Sequence, residues 1–373
     1  MDGGRGITRR GFMACSGAAA CLASTGAYAA AAGSRYSVAI LGDTHYDAEP
    51  ESVYHSHYDE SNQWAKVQHE EFRRNGEMWR ERCPKMIAAS AKLAREKPTK
   101  FILQLGDIIQ GDCDDVETHK KMMDDCIKLL RAPYPAELPF LTVIGNHDFR
   151  GKGARLAYFE FAEPFIAKEL RKRKVAYPVF SFRAGGDLWV FCDFEMDYLN
   201  LVCDAIDADP GARHVFLVTH GPFTLFGDQQ SYRWRLGGHY RCDPTRKMLY
   251  ETLSRRHAIV LSGHTHTVNF YRHENGFGGF TEFTANSVWK SDDLATAKPL
   301  CEGVEAYAAH NPGLSGAKLE DFRREREFFL PGLREYFYNK GAGHYRLNVS
   351  DEGVEMEFYP GDATEPGRVF RMS

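Results

Sequence analysis

The sequence predicts an α/β fold, and three observations point to it. Short apolar runs alternate with helical patterns along most of the 373 residues. Hairpin patterns interrupt that rhythm, which requires a mixed sheet or two sheets rather than one parallel sheet. Composition completes the argument: 43% apolar and 13% aromatic residues supply a core, and 26% charged residues exclude a polytopic membrane protein.

The formal net charge of -4 leaves no basic surplus, so no stable nucleic-acid complex is expected and no pull toward an anionic membrane. Any anion the chain handles must be attracted locally. Its first 29 residues differ from the rest. Thr8-Arg9-Arg10-Gly11-Phe12-Met13 precedes an Ala-rich, weakly apolar stretch ending in Ala27-Tyr28-Ala29, a small-x-small cleavage pattern. The segment resembles a twin-arginine export signal, although an ordinary amphipathic N-terminal helix or a general secretory signal is compatible with the same Ala-rich middle. Engagement with export machinery and removal of residues 1–29 are expected. The mature chain is then expected to have no transmembrane span and to work in the periplasm or outside the cell. Ala18-Ala19-Ala20-Cys21 lacks the larger aliphatic residue of a lipid-attachment site, so soluble release is expected over lipid anchoring. Cys83, Cys113, Cys126, Cys192, Cys203, Cys242 and Cys301 remain. Their odd number and the absence of a CxxC pair fit neither a zinc site nor a disulfide framework.

The runs YSVAIL (36–41), FILQL (101–105), FLTVI (140–144), HVFLVT (214–219) and AIVLS (258–262) read as buried strands, since short continuous apolar runs fit a sheet covered on both faces. Charged, periodic segments at 60–96, 116–131, 153–171, 198–206 and 243–256 read as the connecting helices. VFSFRAGGDLWVFCDF (179–194) is a hairpin about Ala184-Gly185-Gly186-Asp187, and VNFYRHENGFGGFTEFT (268–284) is a second with a Gly-rich turn. Residues 295–340 read as helical and 344–359 as a closing hairpin. The expected organisation is an export segment (1–29), a main domain (36–290), and a helical extension with its closing hairpin packed on the same domain (291–373).

Each of the five buried-strand runs ends in potential metal ligands: Gly42-Asp43-Thr44-His45, Gly106-Asp107, Gly145-Asn146-His147-Asp148, His220-Gly221-Pro222 and Gly263-His264-Thr265-His266. In open α/β sheets the carboxyl ends of strands converge on one crevice, so side chains scattered from position 43 to 266 can meet there. A Gly before four of these groups fits a tight turn where backbone and ligand pass close. Alone, a GD or GNHD string is an ordinary turn. Five strand ends carrying Asp, Asn and His in this order are hard to explain as packing, because buried ionisable groups need partners or metals. Carboxylate and amide oxygens with imidazole nitrogens, and no thiolate, suit Mn, Fe or Zn over Cu(I) or an iron–sulfur cluster.

Over the 224 residues from Asp43 to His266 these motifs resemble the signature of the calcineurin-like metallophosphoesterase superfamily: D-x-H, GD, GNH(D/E), H and GHxH in that chain order. The resemblance implies the αββα fold, two mixed β-sheets packed as a sandwich and flanked by helices, with a centre for two divalent ions at the strand ends. It implies that Asp43, His45, Asp107 and His266 hold one ion, that Asp107 bridges, and that Asn146, His220 and His264 complete the second. It also implies hydrolysis of small phosphate esters, in which a hydroxide shared by the ions attacks phosphorus in line while they neutralise the phosphoryl oxygens. His147 is the expected general acid for the leaving alkoxide, with Asp148 orienting and charging it.

Two departures narrow the likeness. The first motif is D-x-H, and no Tyr follows Gly106-Asp107 where purple acid phosphatases place an iron-binding Tyr; the third keeps His147, where lipid A precursor hydrolases have Arg. The sequence is therefore most similar to the group containing cyclic-nucleotide phosphodiesterase-like enzymes, and phosphodiesters are slightly favoured as substrates. A phosphomonoesterase or nucleotidase is the alternative. An inactive binding module of the same fold is another, which loss of ligands would mark, and none is missing. Loop 46–58, with His55, His57 and Asp59, and loop 227–240, with Arg233, Trp234, Arg235 and His239, are candidates for substrate contact, as are Asp47 and Asn286.

Overall fold

The computed structural model describes residues 35–47, 54, 63–175, 178–193, 198–224, 236, 243–287, 297–310 and 313–373. The export-signal reading of residues 1–29 lies outside them, as do nearly all of loops 46–58 and 227–240. In chain order the first elements are β1 (Tyr36–Leu41), α1 (Gln63–Glu96), β2 (Thr99–Gln104), α2 (Val116–Arg131), β3 (Phe140–Thr142), α3 (Ala154–Ala157) and α4 (Glu163–Glu169). Next come β4 (Val179–Ala184), β5 (Asp187–Cys192), α5 (Leu199–Asp207), β6 (Val215–Thr219), α6 (Asp243–Arg255), β7 (Ile259–Ser262), β8 (Val268–Asn275) and β9 (Gly278–Thr284). The chain ends with β10 (Cys301–Glu302), α7 (Val304–Ala309), α8 (Gly316–Phe329), β11 (Leu333–Asn339), β12 (Gly343–Ser350), β13 (Gly353–Pro360) and β14 (Arg368–Arg371).

These strands make two mixed sheets, ordered β14-β13-β12-β1-β2-β3 and β10-β11-β8-β9-β7-β6-β5-β4. In the first, β1, β2 and β3 are parallel and β12 runs antiparallel to β1. In the second, β5, β6, β7 and β9 form a parallel core to which β4, β8, β11 and β10 add antiparallel. Strand alternation sorts the side chains into layers. Val38 and Ile40 of β1 pack between the sheets with Trp189, Phe191, Phe216 and Phe283. Ala39 and Leu41, pointing the other way, join Trp79 and Met86 of α1 and Met122 of α2. On the far side, Leu188, Val190 and Leu217 cluster with Val202 of α5 and with Leu249 and Leu253 of α6. The result is helices, sheet, sheet, helices. Every residue of β1 is buried, which is why such strands read as unbroken apolar runs.

Residues 295–340 depart from the helical expectation. α7 and α8 are helices, but Leu333–Asn339 is a strand inserted between β10 and β8. Its run Tyr336-Phe337-Tyr338 has the aromatic composition strands favour, and it alternates as a strand must: Phe337 joins the inter-sheet core, while Tyr336 and Tyr338 join the outer cluster. The closing hairpin gains a third strand, β14, and its β12 lies beside β1 in the interior of the first sheet. A π-turn at Tyr158–Ala162 breaks the helical pattern of 153–171 in two. α1 is one 34-residue helix despite Pro84. Cys83, Cys113, Cys126, Cys192, Cys203 and Cys301 are free thiols. Among the described residues no helix is long and apolar enough to cross a membrane.

Candidate metal centre

The carboxyl ends of β1, β2 and β3 meet those of β6 and β7, and the candidate residues meet with them. His266 Nε2 lies 3.0 Å from Asp43 Oδ2 and 2.9 Å from His45 Nε2. His45 Nε2 is in turn 3.5 Å from Asp107 Oδ2. On the other side of Asp107, His220 Nε2 is 3.2 Å from the same Oδ2, from Asn146 Oδ1 and from His264 Nδ1. Asp107 therefore stands between two groups: Asp43, His45 and His266 on one side, Asn146, His220 and His264 on the other.

The local backbone is shaped for this convergence. Among the described residues, the non-glycine positions with positive φ include His45 (40°), Asp107 (50°), His264 (71°) and His266 (51°), so four candidate ligands occupy a conformation that L-residues resist. Two glycines make room. A Cβ on Gly145 would sit 2.1 Å from Asp107 Oδ1, and one on Gly263 would sit 2.2 Å from Asp43 Oδ1. Gly263→Ala is therefore expected to displace Asp43 and weaken metal affinity by roughly 10- to 100-fold, the scale of damage to groups that support ligands, as read by competition with a chromophoric chelator.

Ring orientation is also settled by neighbours. His45 Nδ1 faces Gln110 Oε1 at 3.1 Å, and His220 Nδ1 faces the Leu105 carbonyl at 2.8 Å. Each Nδ1 has an acceptor, which turns both Nε2 atoms toward the centre, where a metal ion would take the place of a proton. The charges follow the same design. Burial alone raises Asp43, but the His220, His266 and His45 imidazoles outweigh it and hold its carboxyl below the usual range. Burial likewise opposes ionisation of Asp107, and His220, His147 and His45 overcome it. Burial lowers His220, yet Asp107 and Asp43 push it up to about 10; His264, buried beside it, falls to about 3. Two buried carboxylates amid imidazole nitrogens turned toward them are a donor set that fits divalent metal ions.

His147 sits at the rim of this set, its ring 4.4 Å from that of His45 and its backbone N–H donating to Asp107 Oδ1 at 2.7 Å. Its ring Nδ1 contacts the Gln110 carbonyl at 2.9 Å, and the Arg150 guanidinium nitrogen Nη1 lies 3.1 Å from both ring nitrogens. Arg150 is anchored in turn by an ion pair to Asp112. The expectation that Asp148 orients His147 is corrected here. The two residues share a 3₁₀ turn, in which adjacent side chains diverge by a third of a rotation. The buried Asp148 carboxylate instead accepts from the N–H groups of Gly145, at 2.8 Å, and Ile109, at 3.3 Å. It staples the third motif to the second, and burial with Asp107 nearby pushes it up to about 7.

Asn286 is committed elsewhere: its amide donates to the Lys340 carbonyl at 2.9 Å and accepts from Ser287 N–H at 2.7 Å. Asp47 is buried. His55, His57, Asp59, Arg233, Trp234, Arg235 and His239 lie outside the described residues. Gln110 and Arg150, which hold the rings of His45 and His147, carry no motif signal. Leu105 acts through its backbone carbonyl, which no side-chain pattern reveals.

Solved structures of the same architecture are similar at low identity. Purple acid phosphatase PPD1 from yellow lupin (Lupinus luteus) seeds is 10% identical at a TM-score of 0.51, over 91% of this chain and 54% of that one. GAP50, the anchor in the inner membrane complex of Plasmodium, is 12% identical at 0.50, over 91% and 89%. A PhoD structure is 10% identical at 0.50, over 91% and 70%. At such identities the likeness carries the fold alone. No curated protein matches the chain in sequence. The family model for calcineurin-like phosphoesterase matches residues 36–268, well over half the chain and every candidate ligand, so the chain belongs to the calcineurin-like phosphoesterase family.

Proposed function

We propose that the protein is a dinuclear metallophosphoesterase, a metal-dependent hydrolase of small phosphate esters. The observation that carries this reading is the shared position of Asp107, whose Oδ2 lies 3.5 Å from His45 Nε2 and 3.2 Å from His220 Nε2. Asp43, His45, Asp107 and His266 would hold one divalent ion and Asp107, Asn146, His220 and His264 the other; Mn, Fe and Zn suit such mixed oxygen and imidazole donors. Such ions supply positive charge to the phosphoryl oxygens and acidify water.

The chain's own residues do the rest. The left-handed backbone at four ligands and the acceptors at Gln110 and Leu105 hold donors in place before substrate arrives, so little reorganisation is left for the reaction. His147 is the proton donor to the leaving oxygen. Burial and the His45 imidazole hold it well below the usual histidine range, so it is neutral near pH 7, and the negative charge of a bound ester favours its protonated form. Phosphodiesters are slightly favoured on the D-x-H motif. The Arg9-Arg10 segment supports a reaction beyond the cytoplasmic membrane, in the periplasm or outside the cell, after engagement with export machinery.

The test is turnover of bis-p-nitrophenyl phosphate and p-nitrophenyl phosphate before and after chelation and Mn readdition. Chelation should abolish both activities and Mn should restore them, with the diester ahead. Failure of any metal to support either ester would sink the enzyme reading.

A further inference from the structure

After β6 the chain turns through His220-Gly221-Pro222-Phe223-Thr224, and one buried side chain grips this turn from below. Glu282, fully buried in β9, uses both carboxylate oxygens: Oε1 accepts from the Phe223 N–H at 2.7 Å, and Oε2 accepts from the Thr224 N–H at 2.9 Å and its hydroxyl at 2.5 Å. Arg246 of α6 donates Nη2 to the Phe223 carbonyl at 2.7 Å, while its Nη1 pairs with Glu325 of α8 at 2.6 Å. The sheet has no need of a carboxylate here. Glu282 lies between Val260 of β7 and Tyr271 of β8, where an apolar residue would avoid the cost of burying a charge. Its contribution is therefore aim rather than adhesion.

We propose that Glu282 is a positioning residue for His220: through the 220–224 turn it holds the imidazole against Asp107 and Asn146. The inference rests on the phosphoesterase reading only for what His220 holds. Glu282→Gln is the decisive variant. Both oxygens accept backbone N–H bonds, so either orientation of the amide sets an NH₂ against an N–H, while size and sheet position are kept. Two readouts are needed: calorimetric titration of the metal-free full chain with Mn²⁺, and the NMR signal of the His220 Nδ1–H bonded to the Leu105 carbonyl.

In Glu282→Gln the first Mn²⁺ should bind within about twofold of wild type and the second roughly 10- to 100-fold more weakly, as when a ligand's orienting partner is lost. The His220 Nδ1–H should exchange faster with water. Thr224→Val, which removes only the hydroxyl bond, should shift both readouts the same way by less. Asp187→Asn is the control: it damages a buried carboxylate at the other end of the sheet, bonded to Tyr36 and Arg213, and should lower Tm without moving either readout. A folded Glu282→Gln with unchanged second-ion affinity and unchanged His220 signal overturns the proposal. So does equal loss of both ions matched by Asp187→Asn, which would mean general loosening. If wild type takes up only one Mn²⁺, the two-ion reading fails, and the His220 signal alone decides: faster exchange in Glu282→Gln upholds the positioning role, and no change overturns it.

Discussion

Asp107→Ala should empty the centre and lower turnover by on the order of 10³-fold or more, the scale on which loss of preorganised charge acts. Its carboxylate touches both groups of candidate ligands and the loop of the third motif. One carboxylate oxygen lies 3.5 Å from His45 Nε2 and 3.2 Å from His220 Nε2; the other accepts the His147 N–H at 2.7 Å. Burial would protonate the carboxyl, but His220, His147 and His45 together outweigh it and hold it below the usual carboxylate range. Its removal leaves Asp43 alone to balance a cation, and it frees the loop that carries Asn146 and His147. Asp107→Asn keeps the shape and the loop contact but not the charge, so it should stay folded with metal content depressed. Elemental analysis beside circular dichroism separates the two effects. Two ions per chain in folded Asp107→Ala, with wild-type turnover, would show that Asp107 does not bridge.

The convergence of the candidate loops was legible because the strands announced themselves. Continuous apolar runs such as Tyr36–Leu41 mark strands buried on both faces, and the polar residue that breaks each run is by default at a strand end, where parallel neighbours converge. Sheet membership was less legible. Leu333–Asn339 follows the charged helix Gly316–Phe329 with only the short turn Leu330–Gly332 between them, so its aromatic alternation is absorbed into the helical pattern. What orients the candidate ligands was not legible at all. Gln110 bonds His45, Leu105 bonds His220, and Glu282 bonds the turn after His220 from 58 or 59 positions away. Such pairings depend on which loops the sheets bring together, and nothing in the local spacing of a Gln or a Glu records that. Asp148 shows the converse error: adjacency in sequence suggested a partnership with His147 that a 3₁₀ turn does not permit.

His147→Ala should lower turnover by about 10²- to 10⁴-fold for esters with poor, alkoxide-like leaving groups and far less for p-nitrophenyl esters, the range attributed to one positioned proton donor. A good leaving group departs as a stable anion and needs no proton, so the loss must scale with leaving-group basicity if donation is the role. The geometry also offers a competing role. His147 forms a third group with His45 and Asp107 whose donor atoms all lie within 4.8 Å, close enough for it to be a ligand itself. Metal content distinguishes the two. As a donor, His147 leaves the ion count unchanged when truncated; as a ligand, it takes metal with it and the loss is the same for every ester. Arg150 sharpens the test, because its guanidinium lies 3.1 Å from both ring nitrogens and is tethered to Asp112. Arg150→Ala should reproduce a weaker form of the same leaving-group dependence with metal content unchanged, since it loosens the ring without removing it. A flat loss across leaving groups in both variants would end the general-acid assignment.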